Sequence, residues 1–472
     1  MFLKVADSES IVQTSRGIYR SRPRDLSLPS ASTNLCGHGK SGFEMYDVEV
    51  ISNPIDRPPT HSRWLILADD RTGAADCASA FASRGLSTVV AWSGERSRDI
   101  PHADVVAYDA RTRELDAAAA IATQRHVLER FAGSGGRLYK KIDSTLRGHP
   151  AAEIRATLDW LKETTGRAFA VLAPAFPATG RTTFNAHLYL NGESLERSEL
   201  WRHDRTYENA NLLDMLASSR VSAMHIPLQT VEAGALVLRT QLEQCGKHSD
   251  CVVVCDAVTQ ADLESIALAA SATEALLIGS AGLAHALASQ VALRPKEALR
   301  FSRSFQGTLV VVGSLAQQSR SAARVLAESG EARHVRIDAH SLLDGHALNI
   351  GPIVSALDAG TDVLLELMAR ERPDPSMVTV LVDRLGGVLS SVGSHIGALV
   401  ATGGETAAAM LDHLRVHAMR LVGEIEPGIV LGVSQGERTI PVVTKAGAFG
   451  DEGTLLRIAR RLRRIKTTGL VE

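Results

Sequence analysis

From Trp64 onward the chain alternates two textures. Short apolar runs at Trp64–Leu67, Thr88–Ala91, Val105–Tyr108, Phe169–Leu172, Cys251–Cys255 and Leu276–Ile278 are separated by longer amphipathic stretches, several of them Ala-rich. Such strand–helix alternation predicts parallel sheets with helices on both faces. A charged segment, LRPKEALRFSRSFQ at residues 293–306, interrupts the pattern and is expected to act as a linker. A second series follows at Leu309–Val312, Val335–Ile337, Val363–Leu367, Ala398–Ala401 and Val442–Thr444. The prediction is an α/β protein of two doubly wound domains with mainly parallel sheets, near 63–292 and 307–466. Ligands in such folds bind beyond the carboxyl ends of the strands. Residues 1–62 differ: they are rich in Ser, Pro and Arg, show no sustained period, and predict a flexible extension to which no function is assigned.

Composition narrows the function classes. The chain has 472 residues, 45% of them hydrophobic, enough for two or three full cores. A formal net charge of -2 gives no bulk attraction for nucleic acid. There is no 18-residue uncharged apolar run to predict a membrane span, and the N-terminus lacks the charged-then-apolar order of a secretory signal. Five cysteines are too few for a disulfide framework in a chain of this length. Cys251 and Cys255, at the ends of one predicted strand, would stand about 13 Å apart, too far to bond or share a metal. The expected setting is cytoplasmic.

The chemistry-bearing residues gather at strand ends. ADDRTGA puts Asp69 and Asp70 where a strand hands over to a helix. One Asp serves as an N-cap and suits the helix dipole; two adjacent acids exceed that need, because like charges repel. YKKIDSTLRGHPAAE, residues 139–153, sets Lys141, Asp143, Ser144 and Arg147 before a helix. That set offers cations for a carboxylate or phosphate, an acid, a hydroxyl donor and a bidentate guanidinium. A capped helix start, with Ser144 or Thr145 as cap, accounts for one of these residues and not for the set. In APAFPATGRTTF, Pro174, Pro177 and Gly180 predict a rigid loop from which Arg181 could point into a site.

In the second half, Gly313-Ser314 and Thr402-Gly403-Gly404-Glu405-Thr406 each follow a predicted strand. Glycines there let backbone N–H groups approach phosphates, and a helix N-terminus favours an anion. VVTKAGAFGDEG ends the last strand with Lys445, Gly447 and Gly450, a plausible nucleotide loop or an ordinary turn with an exposed lysine. Other patterns fail. NLCGHGKSG has Asn34 where a P-loop needs its first Gly, and GSGGRL has Leu138 where a dinucleotide fingerprint needs its last. The 16 histidines show no close metal spacing, and His203-Asp204-Arg205 is not a kinase catalytic-loop order.

Taken in order, ADDRTGA, KKIDSTLRG, APAFPATGRT, GSAGLA, TGGET, GEIEPGIVLG and KAGAFGDEG resemble the four-carbon acid sugar kinase family over residues 64 to about 462. The resemblance implies a two-domain α/β kinase with its active site in the cleft between the domains. It implies a sugar acid held mainly by the N-terminal domain, ATP held by the C-terminal domain, and Mg²⁺ bridging the phosphates. Carried over by motif, Asp69 and Asp70 would lie at the reacting hydroxyl. Arg111, Lys141, Ile142, Asp143 and Ser144 would bind the acid, with Arg147 beside them. Ser314, Thr402, Gly403, Gly404, Glu405 and Gly447 would bind ATP, with Lys445 at the same loop. The implied acceptor is the terminal hydroxyl of threonate, erythronate or 3-oxo-tetronate, with D-threonate standing first. The implied partners are small molecules, with neither nucleic acid nor membrane; a homodimer is left open, being common at this size.

The chain departs from the family pattern at Arg71, often hydrophobic there; at Leu315-Ala316-Gln317, where another Ser and a Thr are usual; and at Ala446, usually Ser. The first departure suggests a different substrate preference. Two rivals stand beside the kinase. One is a dinucleotide-dependent dehydrogenase, opposed by the missing fingerprint. The other is a non-catalytic sugar-acid sensor, opposed by the presence of both the acid cluster and the glycine loops.

Overall fold

A computed structural model describes residues 64–92, 103–132, 136–248, 250–295, 304–313, 316–346, 348–368, 375–426, 428–445, 447 and 449–470. The extension at 1–62, most of the 293–306 linker and Ser314 lie outside the described residues.

The apolar runs fold as expected. In the N-terminal half they form β1 (Trp64–Ala68), β2 (Thr88–Trp92), β3 (Val105–Asp109) and β5 (Phe169–Ala173), with β4 (Arg137–Lys141) added where the sequence shows no apolar run. A small antiparallel sheet of β6 (Arg181–Phe184), β7 (His187–Leu190) and β8 (Glu193–Ser194) follows. Then come β9 (Ala223–Ile226), β10 (Cys251–Cys255) and β11 (Leu276–Gly279). Apart from β6–β8 these strands lie parallel in the order β2-β3-β1-β4-β11-β5-β10-β9. All of β1 is buried, as an unalternating apolar strand covered on both faces must be. Burial of Ile66 and Leu67 contributes about 1.5–3 kcal/mol each.

The C-terminal half contains β12 (Thr308–Val312), β13 (Ala332–Asp338), β14 (Asp362–Met368), β15 (Ala398–Thr402), β16 (Val416–Glu426), β17 (Ile429–Gly436) and β18 (Pro441–Lys445). Strands β13-β14-β12-β15-β18 are parallel, and β17 and β16 continue the sheet as an antiparallel hairpin. Residues Ala418, Met419 and Arg420 of β16 then pair antiparallel with Ala91, Val90 and Val89 of β2. The two arrays therefore form one 15-stranded sheet, and one apolar core includes both Phe81 and Trp92 of the first half and Met410, Leu421 and Val430 of the second. The stretch Met377–His395 has a mean hydropathy of 1.2 but carries Asp383 and Arg384; it packs on helix Gly404–His413, where His413 Nε2 meets Asp383 Oδ1 at 2.9 Å.

This topology creates two crevices. The chain runs from β1 through β2 to β3 on one side of β1, then crosses to β4 on the other. In the second half β12 separates β13 and β14 from β15 and β18 in the same way. Such reversals open the sheet at its carboxyl end, where ligands enter. The Ala-rich helix Arg71–Ser83 leaves the first crevice and packs against β1, β2, β3 and helix Ala281–Ser289, and across the join against β16. Its small residues Ala74, Ala75, Ala78 and Ala82 permit burial on nearly every side.

Candidate active site

The acids of the opening motif divide their tasks. Asp70 is the N-cap of helix Arg71–Ser83: its Oδ1 accepts from the Gly73 N–H at 3.2 Å, and its side chain also lines the cleft. Asp69 is turned inward, with a side chain only 4% exposed. Its carbonyl accepts from the N–H groups of Thr112 and Arg113 at 3.1 and 3.3 Å, tying the loop after β3 to the end of β1. Arg113 completes the arrangement. Its Nε donates to Asp69 Oδ2 at 2.8 Å, and its Nη2 reaches Asp70 Oδ1 at 2.8 Å and Asp143 Oδ2 at 3.2 Å.

Lys141, at the end of β4, places its Nζ 3.4 Å from Asp69 and 3.6 Å from Asp70. Arg147 closes the far side, with Nη2 at 2.7 Å from Asp143. Asp143 Oδ1 in turn accepts from the Thr145 N–H at 2.8 Å, so the carboxylate shapes its own loop. Gly73 keeps this contact close: a Cβ there would stand 2.3 Å from Lys141 Nζ and 2.5 Å from Asp70 Oδ1, so both side chains would have to shift.

Burial alone would neutralise these groups, but pairing wins. Burial pushes the Asp69 carboxyl up, yet Arg113 and Lys141 together hold it below its ordinary value. Asp143 is likewise raised by burial and drawn well below the carboxylate range by Arg147 and Arg113. Burial acts to lower Lys141 and Arg113, and their carboxylate neighbours more than reverse it. Asp69, Asp143, Lys141 and Arg113 thus keep their charges despite burial.

The opposite wall comes from the second half. Gly403 (φ 93°) turns the chain from β15 into helix Gly404–His413, and its N–H donates to the Lys445 carbonyl at 2.8 Å. The first-turn amides of that helix have no intrahelical acceptor, which makes them candidate phosphate donors. Thr402 Oγ1 is buried without a hydrogen-bond partner among the described residues. Lys445 is buried at the end of β18, and its Nζ donates to Ser319 Oγ and to the Gly447 carbonyl, each at 3.2 Å. Between the walls lies a cleft of about 140 Å³, lined by Asp70, Thr72, Lys141, Asp143, Ser144, Arg147 and Arg181 on one side and Gly403, Thr444, Lys445 and Phe449 on the other. The halves touch closely there: a Cβ on Gly404 would meet Thr72 Oγ1 at 2.7 Å.

These positions match family models across nearly all of the described chain. Residues 64–287 match a sugar-binding N-terminal domain, and residues 309–455 match a nucleotide-binding C-terminal domain. A D-threonate kinase from Cupriavidus necator is 38% identical over 83% of this chain and 96% of its own. The chain belongs to the four-carbon acid sugar kinase family. A 3-oxo-tetronate kinase from Pseudomonas fluorescens is 27% identical, with 81% of this chain and 93% of that one covered. The fold is shared with a solved Haemophilus influenzae protein, with a TM-score of 0.68 at 21% identity over 84% of this chain and 99% of that one.

Within this four-carbon acid sugar kinase fold, the structure brings together most of the residues singled out from sequence, but not all. Asp70, Lys141, Asp143, Ser144, Arg147, Gly403 and Lys445 line the cleft, and Asp69 lies directly behind it. Ile142 does not: its side chain is buried in the core with Leu146 and Ile154. Glu405 is exposed and is not among the lining residues. Arg111, in an unusual left-handed conformation (φ 54°), instead reaches Asp412 Oδ2 at 2.8 Å on the far part of helix Gly404–His413. Arg113, two residues on, occupies the cluster.

Arg71 also turns away from the cleft, so its departure from the family pattern does not act by touching substrate. Its guanidinium lies 4.0 Å over the Trp92 ring, 3.4 Å from Asp109 and 3.1 Å from Asp412, and donates to the Ala408 carbonyl at 3.0 Å. Arg71 and Arg111 thus grip one acid of the nucleotide half from the acid-binding half. Buried Asp109 is pushed up to about 6 by desolvation, with Arg71 opposing the rise.

Lys445 yields a pH prediction. Desolvation lowers it to about 8, against a smaller pull upward from Glu426. The charged form attracts phosphate, and it is lost as the pH rises through that value. The KM for ATP is therefore expected to rise between pH 7 and pH 9, and Lys445→Arg, which stays charged, should flatten the profile. An identical rise in the Arg variant would show that another group titrates.

Proposed function

We propose that this chain is an ATP-dependent kinase that phosphorylates the terminal hydroxyl of a four-carbon sugar acid, with D-threonate as its first substrate. One observation carries the reading: a carboxylate held rigid at a strand end, Asp70, faces across a narrow cleft to a buried lysine and a glycine-led helix N-terminus. Phosphoryl transfer asks a protein mainly for positioning and charge compensation. In this reading residues 63–292 bind the acid and residues 307–466 the nucleotide.

The residues fit a nucleotide. Among the described residues the Thr402 hydroxyl has no partner, Gly403 turns at φ 93°, a Cβ on Gly404 would crowd Thr72, and Lys445 supplies a cation. ATP would supply the transferable phosphoryl group. Ser144 and Arg147 would hold hydroxyl oxygens of the acid. Asp70 would orient the terminal hydroxyl and accept its proton as oxygen bonds to phosphorus and the bond to the leaving ADP breaks. Lys141, held by Asp69, would keep Asp70 in place and offset the charge that develops. Lys445 and the first-turn amides of helix Gly404–His413 would hold the phosphates. Among the described residues no group of three or more acids, histidines or cysteines is placed to hold a metal, so Mg²⁺ is expected to arrive with the nucleotide and no residue is assigned to it.

D-Threonate leads because the 38%-identical relative is named for it, and the 3-oxo-tetronate kinase relative brings the oxidised acid into the comparison. The test is ADP release with MgATP against D- and L-threonate, D- and L-erythronate and the 3-oxo-tetronates. Turnover with D-threonate at the highest kcat/KM is the expected result. Preference for another acid of the panel would move the substrate, and turnover with none would reject the assignment.

A further inference from the structure

The acid-binding wall carries one cation more than its ion pairs consume. Asp69, Asp70 and Asp143 are matched by Arg113, Lys141 and Arg147. Asp76, on the same wall, approaches His285 at 3.7 Å. Arg181 lines the cleft outside this balance. Among the described residues no carboxylate stands within ion-pair reach of it; Asp143 and Asp76 act on its guanidinium only through longer-range attraction, and burial outweighs them. Its Nη1 donates to Thr179 Oγ1 at 2.7 Å, while its Nε is buried with no hydrogen-bond partner.

A guanidinium whose Nε is buried and, among the described residues, unpaired is costly, and the local backbone is built to keep it there. Pro177–Thr179 form a 3₁₀ turn, and Gly180 follows at φ 73°. Arg181 exchanges backbone hydrogen bonds with Phe176, its carbonyl accepting at 2.8 Å and its N–H donating at 3.2 Å. The Arg181–Leu190 pair then starts the small antiparallel sheet. Side chain and backbone are therefore fixed before any ligand arrives. A planar donor fork on a wall whose Arg113, Lys141 and Arg147 are each paired with carboxylates selects a planar anion.

We infer that Arg181 is the receptor for the substrate's carboxylate, and so the residue that separates four-carbon acids from neutral polyols of the same length. The inference rests on the sugar-acid reading of the cleft, but not on turnover. Phosphate groups are a weaker match, because the opposite wall already offers Lys445 and a helix N-terminus for them.

The test compares D-threonate with D-threitol, which lacks the carboxylate, on the wild type, Arg181→Gln and Arg181→Lys. Binding is read by calorimetry and turnover by ADP release. Arg181→Gln is expected to weaken D-threonate binding by roughly 10- to 100-fold, the range for a charge-assisted contact. Threitol binding and the KM for ATP should stay within about twofold, so the preference for acid over polyol collapses. Arg181→Lys, which keeps the charge but loses the fork, should fall between.

Unchanged acid-over-polyol preference in folded Arg181→Gln would overturn the inference. So would a wild type that binds neither compound, or a variant whose kcat falls equally on both with acid affinity intact, since that would place Arg181 at the transferring phosphate. A wild type that binds D-threonate through Arg181 but does not phosphorylate it would leave the inference standing and reject the kinase reading.

Discussion

Asp70→Asn is expected to lower kcat by roughly 10²- to 10⁴-fold, the range for losing a positioned proton acceptor. Fold stability should fall less than at Asp69: the ion pair with Arg113 is lost, but the Asp70 side chain is 22% exposed against 4% for Asp69. Asn caps helices about as well as Asp, so the bond from the Gly73 N–H to the side chain at position 70 survives the substitution. The change therefore separates chemistry from capping, which the neighbouring acid does not allow. Asp69→Asn would remove the partner of both Arg113 and Lys141 inside a buried cluster, and any lost rate would be mixed with lost order. ATP affinity, read by calorimetry on Asp70→Asn, should stay close to wild type, because the groups proposed to hold the phosphates lie on the other wall. A fully active Asp70→Asn enzyme would remove Asp70 from the reaction.

Arg113→Met is the second large effect. Three carboxylates share this guanidinium, and two of them, Asp69 and Asp143, are buried. Breaking a buried pair on one side costs about 3–5 kcal/mol, because the remaining charge is left uncompensated. Urea unfolding should report that loss, and activity should fall with it as Asp70 loses its tether. The same substitution at Arg111 is the contrast. Arg111 is half exposed and meets the partly exposed Asp412, so its removal should cost no more than about 1 kcal/mol. Equal losses at the two positions would mean that the cluster around Arg113 does not hold its acids as described.

These two arginines also mark where the sequence stops being legible. Residue types and motif order identify the loop after β3 as part of the site, but DARTRE offers two arginines. What decides between them is backbone: the left-handed Arg111 and the hydrogen bonds from Thr112 and Arg113 to the Asp69 carbonyl, which together swing the second arginine inward. No spacing rule reports such a turn; the sign that was available is a second arginine at i+2 in a motif that needs one. Ile142 shows the converse: it sits within a binding motif, yet an apolar side chain beside β4 is claimed by the core.

At the level of the fold, most parallel strands were legible because strands covered on both faces are apolar; β4, with Arg137, Lys140 and Lys141, and β9, with His225, produce no such run. Nor was the β16–β17 hairpin legible. Along β16, His417 and Arg420 are only partly buried between buried neighbours, and residues 424–426 are partly buried throughout, so that strand produces no apolar run. Arg71 carries the same lesson, since an arginine within a motif is easily assigned to substrate when its partners, Asp109 and Asp412, are distant in the chain.

The pairing of β2 with β16 also bears on how the chain is made. Translation delivers the whole N-terminal array, including β2, long before Val416–Glu426 leaves the ribosome. Through that interval the nascent chain displays the outer edge of Thr88–Trp92, a row of backbone donors and acceptors flanked by apolar side chains, which is the kind of surface that recruits a foreign strand. Synthesis rate and chaperone cover between those two points thus bear on the yield of native enzyme, independently of how stable it is once complete.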